Sequence, residues 1–413
     1  MINRKSFFKR IIPLVFLLVA LAITASTTFA QSGDPLTQLI DNEQWERAYR
    51  MAKELIKKEP ANVQYLYQFG LACNKTMNYG EAVQPLLQVV RQEPNFPDGY
   101  NQLAVAYRNL NEDEKALQIL EHGLNIFPSN HIMIYQLGTV LLKLNRCKEA
   151  VHYFELFSDL APYSQADGMF MIGLCHKAMG EIEKAKETLL HVIALRPAYY
   201  QAYFEMATIY MEQKKFDNAI YYFEQTIKHD PRNVEALFHL GNIYSMQEKW
   251  QQARNAFYAI IDINPNNLEI YLNLAQTYFA TERPSQAVLI LTTAMNRFEP
   301  DADIYLNLGV AYGMQEMYDR ECDNYLKAIS LNPNYAPAYY NLGIAYRNLK
   351  QWDKSIEQFQ QMLTFFPDDP DILSQIARTH FASGNPEKTE EILQIIEQIN
   401  RQIADKVRED LGI

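Results

Sequence analysis

The sequence is poor in glycine, in cysteine and in long apolar runs. Of its 413 residues only 15 are glycine and 4 are cysteine, whereas glycine usage averages about 7%. Strand-rich folds and phosphate-binding loops need glycine at their turns, so this scarcity argues against both. The cysteines are scattered and form no CxxC pair, as structural zinc sites would require. They favour buried thiols, with disulfides as the alternative in an oxidising compartment; they are Cys73, Cys147, Cys175 and Cys322.

Motifs for phosphate, dinucleotide or catalytic-metal binding are also missing. The chain has no Walker A loop, no GxSxG turn and no GxGxxG fingerprint, and its 8 histidines form no HExxH motif. We therefore expect a protein that is not an enzyme, with no catalytic residue, no metal site and no cofactor. Acidic residues outnumber basic ones by 49 to 38, which argues against nucleic acid as a partner.

The first 30 residues have the three-part pattern of a secretory signal peptide. They carry four basic residues and no acidic one, followed by an apolar run over 11–25 and by Thr28 and Ala30 as a small-x-small cleavage site. A run of this length is short for a membrane span. We expect an exported, periplasmic or secreted protein. The alternative is an uncleaved anchor, which would provide the only membrane contact.

In place of these motifs the sequence contains a period of about 34 residues, found in three columns. The first column is proline: Pro60, Pro94, Pro128, Pro162, Pro197, Pro231, Pro265, Pro300, Pro333 and Pro367. The second is alanine: Ala48, Ala82, Ala116, Ala150, Ala185, Ala219, Ala253 and Ala287, replaced later by Glu321, Ser355 and Thr389. The third, the small-residue column, is Gly70, Ala104, Gly138, Gly173, Ala207, Gly241, Ala275, Gly309, Gly343 and Ala377.

One unit, residues 233–265, explains why these columns exist. Apolar residues at helical spacing predict a first helix from Val234 to Tyr244, and a second helix follows a short turn at residues 247–250. Gly241 and Ala253 are small, so the two helices can approach closely. Pro265 ends the unit, because the residue before a proline is driven out of the helical region. The period is therefore that of a helix pair.

This pattern resembles the tetratricopeptide repeat (TPR) proteins, over roughly residues 35–400. The segments that carry the resemblance include YNQLAVAYRNLNEDEKALQILEHGLNIFPSN at 100–130 and IYLNLGVAYGMQEMYDRECDNYLKAISLNPN at 304–334. The resemblance implies an all-α solenoid of antiparallel helix pairs in a right-handed superhelix. We expect an N-terminal partial repeat over 31–62, whose shortened first helix has Asp34 as its N-cap and Pro35 in its first turn. Tandem repeats would follow over 63–386, and the last repeat helix with a capping helix over 387–413.

The first helices of the units carry two further columns. The aromatic column is Tyr67, Tyr135, Phe170, Phe204, Phe238 and Tyr340, and the amide column that follows it is Gln68, Gln102, Gln136, Asn273, Asn307, Asn341 and Gln375. Amides can pair with both N–H and C=O of an extended backbone, and aromatics add apolar contact area. We expect these residues to line a concave groove for peptide or glycan. The alternative is that they serve packing between helices.

The sequence thus favours a non-enzymatic scaffold that binds protein or peptide partners through its concave face. The alternative is a structural subunit of a cell-envelope assembly that binds through its convex face or its C-terminal helix. That helix carries an apolar stripe at helical spacing, which includes Ile403, Val407 and Leu411. We interpret the stripe as a cap over the last repeat, or as a surface for oligomerisation.

Overall fold

A computed structural model describes residues 34–413. The expected signal peptide, residues 1–30, lies outside the described residues. Within them the regular structure is entirely helical. The first helices of the successive pairs are α1 (Pro35–Asp41), α3 (Val63–Lys75), α5 (Pro97–Asn109), α7 (His131–Lys143), α9 (Gln165–Ala178), α11 (Tyr200–Glu212), α13 (Val234–Met246), α15 (Leu268–Phe279), α17 (Ala302–Gly313), α19 (Ala336–Asn348) and α21 (Pro370–Ala382).

The second helices alternate with them and are followed by one additional helix. They are α2 (Trp45–Lys58), α4 (Tyr79–Gln92), α6 (Asp113–Ile126), α8 (Cys147–Leu160), α10 (Ile182–Leu195), α12 (Phe216–His229), α14 (Trp250–Ile263), α16 (Pro284–Arg297), α18 (Tyr318–Leu331), α20 (Trp352–Phe365) and α22 (Pro386–Ile399). The additional helix is α23 (Arg401–Leu411). The predicted all-α fold of repeated helix pairs is confirmed.

The small-residue column lies where the two helices of a pair touch. A Cβ added to Gly241 of α13 would come within 2.5 Å of the Phe257 ring of α14. The same modification of Gly138 would reach the Phe154 ring at 2.7 Å. A larger residue at these positions would overpack the pair, at a cost of roughly 1–3 kcal/mol. At these two positions the glycine accommodates an aromatic ring that lies 16 residues later in the chain.

The alanine and proline columns have separate structural roles. The eight alanines from Ala48 to Ala287 are fully buried in the second helices. The ten prolines of the period all lie after a second helix and before the next first helix, with Pro162 in a short 3₁₀ segment, Pro162–Ser164. The abundance of proline is therefore compatible with a helical chain, because these prolines separate helix pairs.

The turn inside each pair uses a left-handed backbone conformation. One residue per turn has φ between 53° and 80°, and in nine of the eleven pairs it is not glycine. Gly180 and Gly384 occupy the position in the other two pairs. The non-glycine residues are Glu43, Met77, Asn111, Asn145, Lys214, Glu248, Glu282, Glu316 and Lys350. Since these turns tolerate ordinary residues, the repeat is built with little glycine.

The two ends of the described chain have their own features. The first helix, α1, has 7 residues and Pro35 in its first turn, as expected. Asp34 precedes it, but its carboxylate accepts from the Thr37 hydroxyl (3.3 Å) rather than from a backbone N–H. At the other end Ala404 and Val407 of α23 are buried against residues of α21 and α22.

By its internal contacts the chain forms two units. The N-terminal unit ends at Ile209, and the C-terminal unit runs from Tyr210 to Ile413, so the dividing point falls within α11. In each unit the helices of a pair are packed together, and several first helices also contact the first helix of the next pair. These contacts between first helices determine what the aromatic and amide columns do.

Candidate functional site

In the N-terminal unit the amide column mostly connects neighbouring first helices. Gln68 donates from Nε2 to the Thr37 hydroxyl of α1 at 2.9 Å. Asn74 of α3 donates from Nδ2 to the backbone oxygen and to Oε1 of Gln102 in α5, at 2.8 and 3.1 Å. Gln136 is 2% exposed and donates to Asn101 Oδ1 at 3.5 Å. Gln68 and Gln136 are buried, so they serve the packing between helices.

The aromatic column of the N-terminal unit is also largely buried. Tyr67 packs edge-to-face on Phe96, with ring centroids 4.8 Å apart. Tyr135 and Phe170 are 7% and 2% exposed. Burial raises the pKa of the Tyr67 and Tyr135 hydroxyls above their ordinary value, since it disfavours the charged phenolate. Phe204 of α11 is only half-buried.

In the C-terminal unit only some members of the amide column form side-chain hydrogen bonds. Asn307 of α17 accepts from Gln276 Nε2 at 2.8 Å and donates to the Asp303 backbone oxygen at 2.8 Å. Gln375 of α21 accepts from Arg347 Nη1 at 2.9 Å. Both amides therefore contribute to bonds within the unit.

Asn273 of α15 and Asn341 of α19 are the exceptions. Both side chains are half-buried, and neither forms a side-chain hydrogen bond within residues 34–413. Each amide has one acceptor oxygen and a two-hydrogen donor nitrogen. These groups are available to form hydrogen bonds with the backbone of a bound peptide.

The aromatic residues of this unit are partly open to solvent as well. Phe238 of α13 and Tyr340 of α19 are half-buried. Tyr340 packs edge-to-face on Phe359, with centroids 5.9 Å apart. Tyr340 directly precedes Asn341, so an aromatic ring and an unbonded amide are consecutive on α19. This arrangement offers apolar contact beside hydrogen-bonding groups.

Sequence reasoning missed the residues that bond to the amide column from the preceding first helix. Asn74 reaches Gln102 and Arg347 reaches Gln375, and Lys177 reaches Glu205, which replaces an amide at the equivalent position, at 2.6 Å. Each pair is separated by 28 residues. A polar residue 28 positions before a polar member of the column is the sequence signal that predicts such a hydrogen bond. Asn273 has Ser245 at the equivalent place, and Ser245 donates to the Gly241 backbone oxygen instead, at 2.8 Å.

Acidic side chains occupy the first turns of many first helices. They are Asp98, Asp167, Glu235, Glu269, Asp303 and Asp371, and an acid there is favoured by the helix dipole. Asp167 also accepts from the Tyr199 hydroxyl at 3.0 Å and pairs with Arg196 at 3.2 Å. Local structure therefore explains the acidic residue at position 167.

The described part of the chain lacks two further kinds of site. Residues 34–413 contain no group of three or more His, Cys, Asp or Glu side chains that could hold a metal ion. No helix among those described combines the length and apolarity that crossing a membrane would require.

The apolar stripe of the C-terminal helix is covered by the chain itself. Val407 is buried, and Ile403 and Leu411 are partly buried against the same cluster, which includes Leu373 and Leu393. Arg408 on the same helix bonds to Glu390 and Glu397, at 3.0 Å each. The apolar side of the stripe is thus packed against the last helix pair.

Comparisons with known proteins agree with this architecture. Models described as the tetratricopeptide repeat match residues 97–130, 166–199, 204–267, 245–308, 302–335 and 324–357. Together these segments make up more than half of the chain.

Human tetratricopeptide repeat protein 6 is 22% identical over 166 residues, which are 39% of this chain and 32% of that protein. The chain therefore spans about a third of the length of this curated relative.

Several solved structures align with parts of this chain at low sequence identity. The type IV pilus biogenesis factor PilW is 19% identical and aligns over 51% of this chain and 98% of its own, with a TM-score of 0.44. The APC/C hetero-tetramer Cut9-Hcn1 is 15% identical, over 91% of this chain and 95% of that chain, with a TM-score of 0.41. YrrB, a TPR protein with an unusual peptide-binding site, is 20% identical over 46% and 97%, with a TM-score of 0.38.

Proposed function

The chain belongs to the tetratricopeptide repeat family, and from this premise we propose that it is a non-enzymatic scaffold that binds extended peptide segments of partner proteins. The binding surface is the face formed by the first helices. Helical repeat arrays commonly bind along such a surface, because each repeat adds one more set of contacts. We place the main binding segment in the C-terminal unit, on α13, α15, α17 and α19.

The observation that carries this proposal is the pair of unbonded amides, Asn273 and Asn341. The other five members of the amide column take part in bonds to neighbouring residues. Extended peptides present alternating N–H and C=O groups that need partners, and an amide side chain can satisfy both. Two such amides in one unit can hold one peptide at two points.

Phe238 and Tyr340 support the same assignment. Their half-exposed rings would provide apolar contact with little loss of side-chain freedom, since an aromatic ring has only two side-chain torsions. The buried members of the columns, such as Gln136 and Phe170, would act indirectly by holding the first helices of the N-terminal unit together.

The test begins with selection of peptides from a displayed random library against residues 31–413. A selected peptide is then titrated into two double variants. One is Asn273→Ala with Asn341→Ala. The matched control is Asn296→Ala with Gln360→Ala, which removes exposed amides from the second helices α16 and α20. We expect weaker binding only in the first variant, with circular dichroism unchanged in both. Selection of no peptide at all would argue against the scaffold function.

We also propose that the protein acts in an exported compartment, on the basis of the signal pattern in residues 1–30. The expected cleavage follows Ala30. N-terminal sequencing of the protein recovered from the exported fraction of its native cells should begin Gln31-Ser32-Gly33. Recovery of the chain with Met1 intact would contradict cleavage and favour the anchored form.

A further inference from the structure

Two of the four cysteines meet inside the N-terminal unit. Cys147 is the first residue of α8, and Cys175 lies near the end of α9. Each thiol shifts the pKa of the other, so the two side chains lie close together. Cys147 is 4% exposed and Cys175 is fully buried, so the pair is enclosed by packed helices.

The packing of α8 against α9 independently places these residues opposite each other. The two helices are antiparallel, and near the other end a Cβ added to Gly168 of α9 would lie 3.1 Å from the Phe154 backbone oxygen of α8. From that contact, seven residues toward the end of α9 reach Cys175, and seven residues toward the start of α8 reach Cys147. The helices therefore approach closely in the register that aligns the two thiols.

The two thiols differ in acidity. Interaction with the Cys175 thiol, together with a backbone hydrogen bond, lowers the pKa of the Cys147 thiol below its ordinary value. The same contact, together with burial, raises the pKa of Cys175. Cys147 also begins a helix, where the backbone dipole favours a thiolate. Cys147 has the properties of an attacking thiol, and Cys175 those of its resolving partner.

We propose that Cys147 and Cys175 form a disulfide bond when the chain folds in the presence of a disulfide oxidant. The Cys147 thiolate attacks one sulfur of the oxidant, forms a mixed disulfide and releases the first oxidant thiolate. The Cys175 thiol then loses its proton and attacks the Cys147 sulfur, which releases the second oxidant thiolate. Two protons leave the protein and both electrons go to the oxidant, which becomes a dithiol or two thiols.

The bond would connect the second helix of one repeat to the first helix of the next. Such a link restricts the unfolded chain by closing the loop between the two residues, and so stabilises the folded unit. Cys73 and Cys322 lie in different units and in apolar surroundings. Burial raises the pKa of each to about 12, so both serve as internal controls with unreactive thiols.

In the test, the reduced and unfolded chain of residues 31–413 is refolded in a buffer of reduced and oxidised glutathione. Because the thiols are exposed in the unfolded chain, the reaction does not depend on the oxidant reaching buried side chains. The sample is quenched with acid, blocked with a maleimide and digested for mass spectrometry. We expect one cross-linked peptide pair containing Cys147 and Cys175, and maleimide on Cys73 and Cys322. We also expect the reduced form to unfold roughly 5–10 °C below the oxidised form.

Two single variants complete the design. Cys322→Ala should retain the cross-link and the temperature difference, whereas Cys147→Ala should lose both. Four maleimide-blocked thiols, a glutathione adduct that never resolves, or a cross-link between other cysteines would each overturn the proposal. All of these readouts are independent of peptide binding, so they do not depend on the proposed function.

Discussion

At the scale of single residues, Glu321 departs most clearly from the repeat. It occupies a position that is a fully buried alanine in the eight pairs from Ala48 to Ala287. Its side chain is 7% exposed and packs where a Cβ on Gly313 would come within 2.6 Å of Oε1. Burial raises the pKa of this carboxyl to about 7, although a hydrogen bond with Tyr325 partly opposes the increase. The C-terminal unit therefore contains a carboxyl that is more stable when it is protonated.

This burial predicts a pH-dependent stability with a definite sign. The carboxyl pKa is 4.5 in the unfolded chain and about 7 in the fold. Between these values the unfolded chain loses its proton while the folded chain keeps it, so the free energy of unfolding falls as pH rises. The decrease is complete above pH 7 and amounts to at most about 3 kcal/mol, because a tenfold change in proton affinity corresponds to about 1.4 kcal/mol.

Glu321→Gln should remove this contribution, because the amide has nearly the same shape and does not ionise. We expect the variant to unfold at a higher temperature than the wild type at pH 8, with a smaller difference at pH 5. Thermal unfolding followed by circular dichroism at intervals between the two pH values measures this trend. Glu357→Gln, an exposed site on α20, is the control. An equal effect of both variants at every pH would contradict the account.

At the scale of elements, the non-glycine residues in the left-handed turns inside the pairs destabilise the fold, and a glycine there would relieve the backbone strain. A residue with a Cβ costs roughly 1–2 kcal/mol in this conformation, and nine turns contain such a residue. Met77, between α3 and α4, has φ of 61° and a side chain that is 76% exposed. It gains little from packing, so relief of backbone strain should dominate the effect of replacing it.

Met77→Gly is therefore expected to stabilise the protein by up to about 1 kcal/mol, after the greater entropy of glycine in the unfolded chain is subtracted. Thermal unfolding should show a midpoint above that of wild type by roughly 2–4 °C. Met77→Ala keeps a Cβ and should bring no such gain. If the glycine variant unfolded at a lower temperature than the alanine variant, the strain assigned to this turn would be absent.

At the scale of the whole molecule, the repeat pattern could be predicted from sequence because each column has one physical cause. The helix predicted from Val234 to Tyr244 is α13, which ends at Met246, and the following turn leads to α14 at Trp250. Proline, alanine and small-residue columns recur because every pair has the same close contact. These features depend on neighbours within one pair, so a single period shows them.

The candidate site was harder to predict because it depends on contacts between pairs. Gln375 and Asn341 belong to the same column, yet only Gln375 is bonded by a residue 28 positions earlier, Arg347. Similarly, the meeting of Cys147 and Cys175 requires the antiparallel register of α8 and α9. The sequence periodicity shows which residues share a helix face. Hydrogen bonding and burial depend on which residue of the neighbouring helix lies opposite each of them.

The most direct measurement of the central claim is the affinity of one library-selected peptide for the two double variants described above. Loss of about two hydrogen bonds at roughly 1 kcal/mol each predicts that Asn273→Ala with Asn341→Ala raises Kd roughly 30-fold relative to wild type. Asn296→Ala with Gln360→Ala should leave Kd within about twofold, since exposed substitutions away from a site rarely exceed about 0.5 kcal/mol. Equal Kd values for both variants would contradict a binding surface on the first helices of the C-terminal unit.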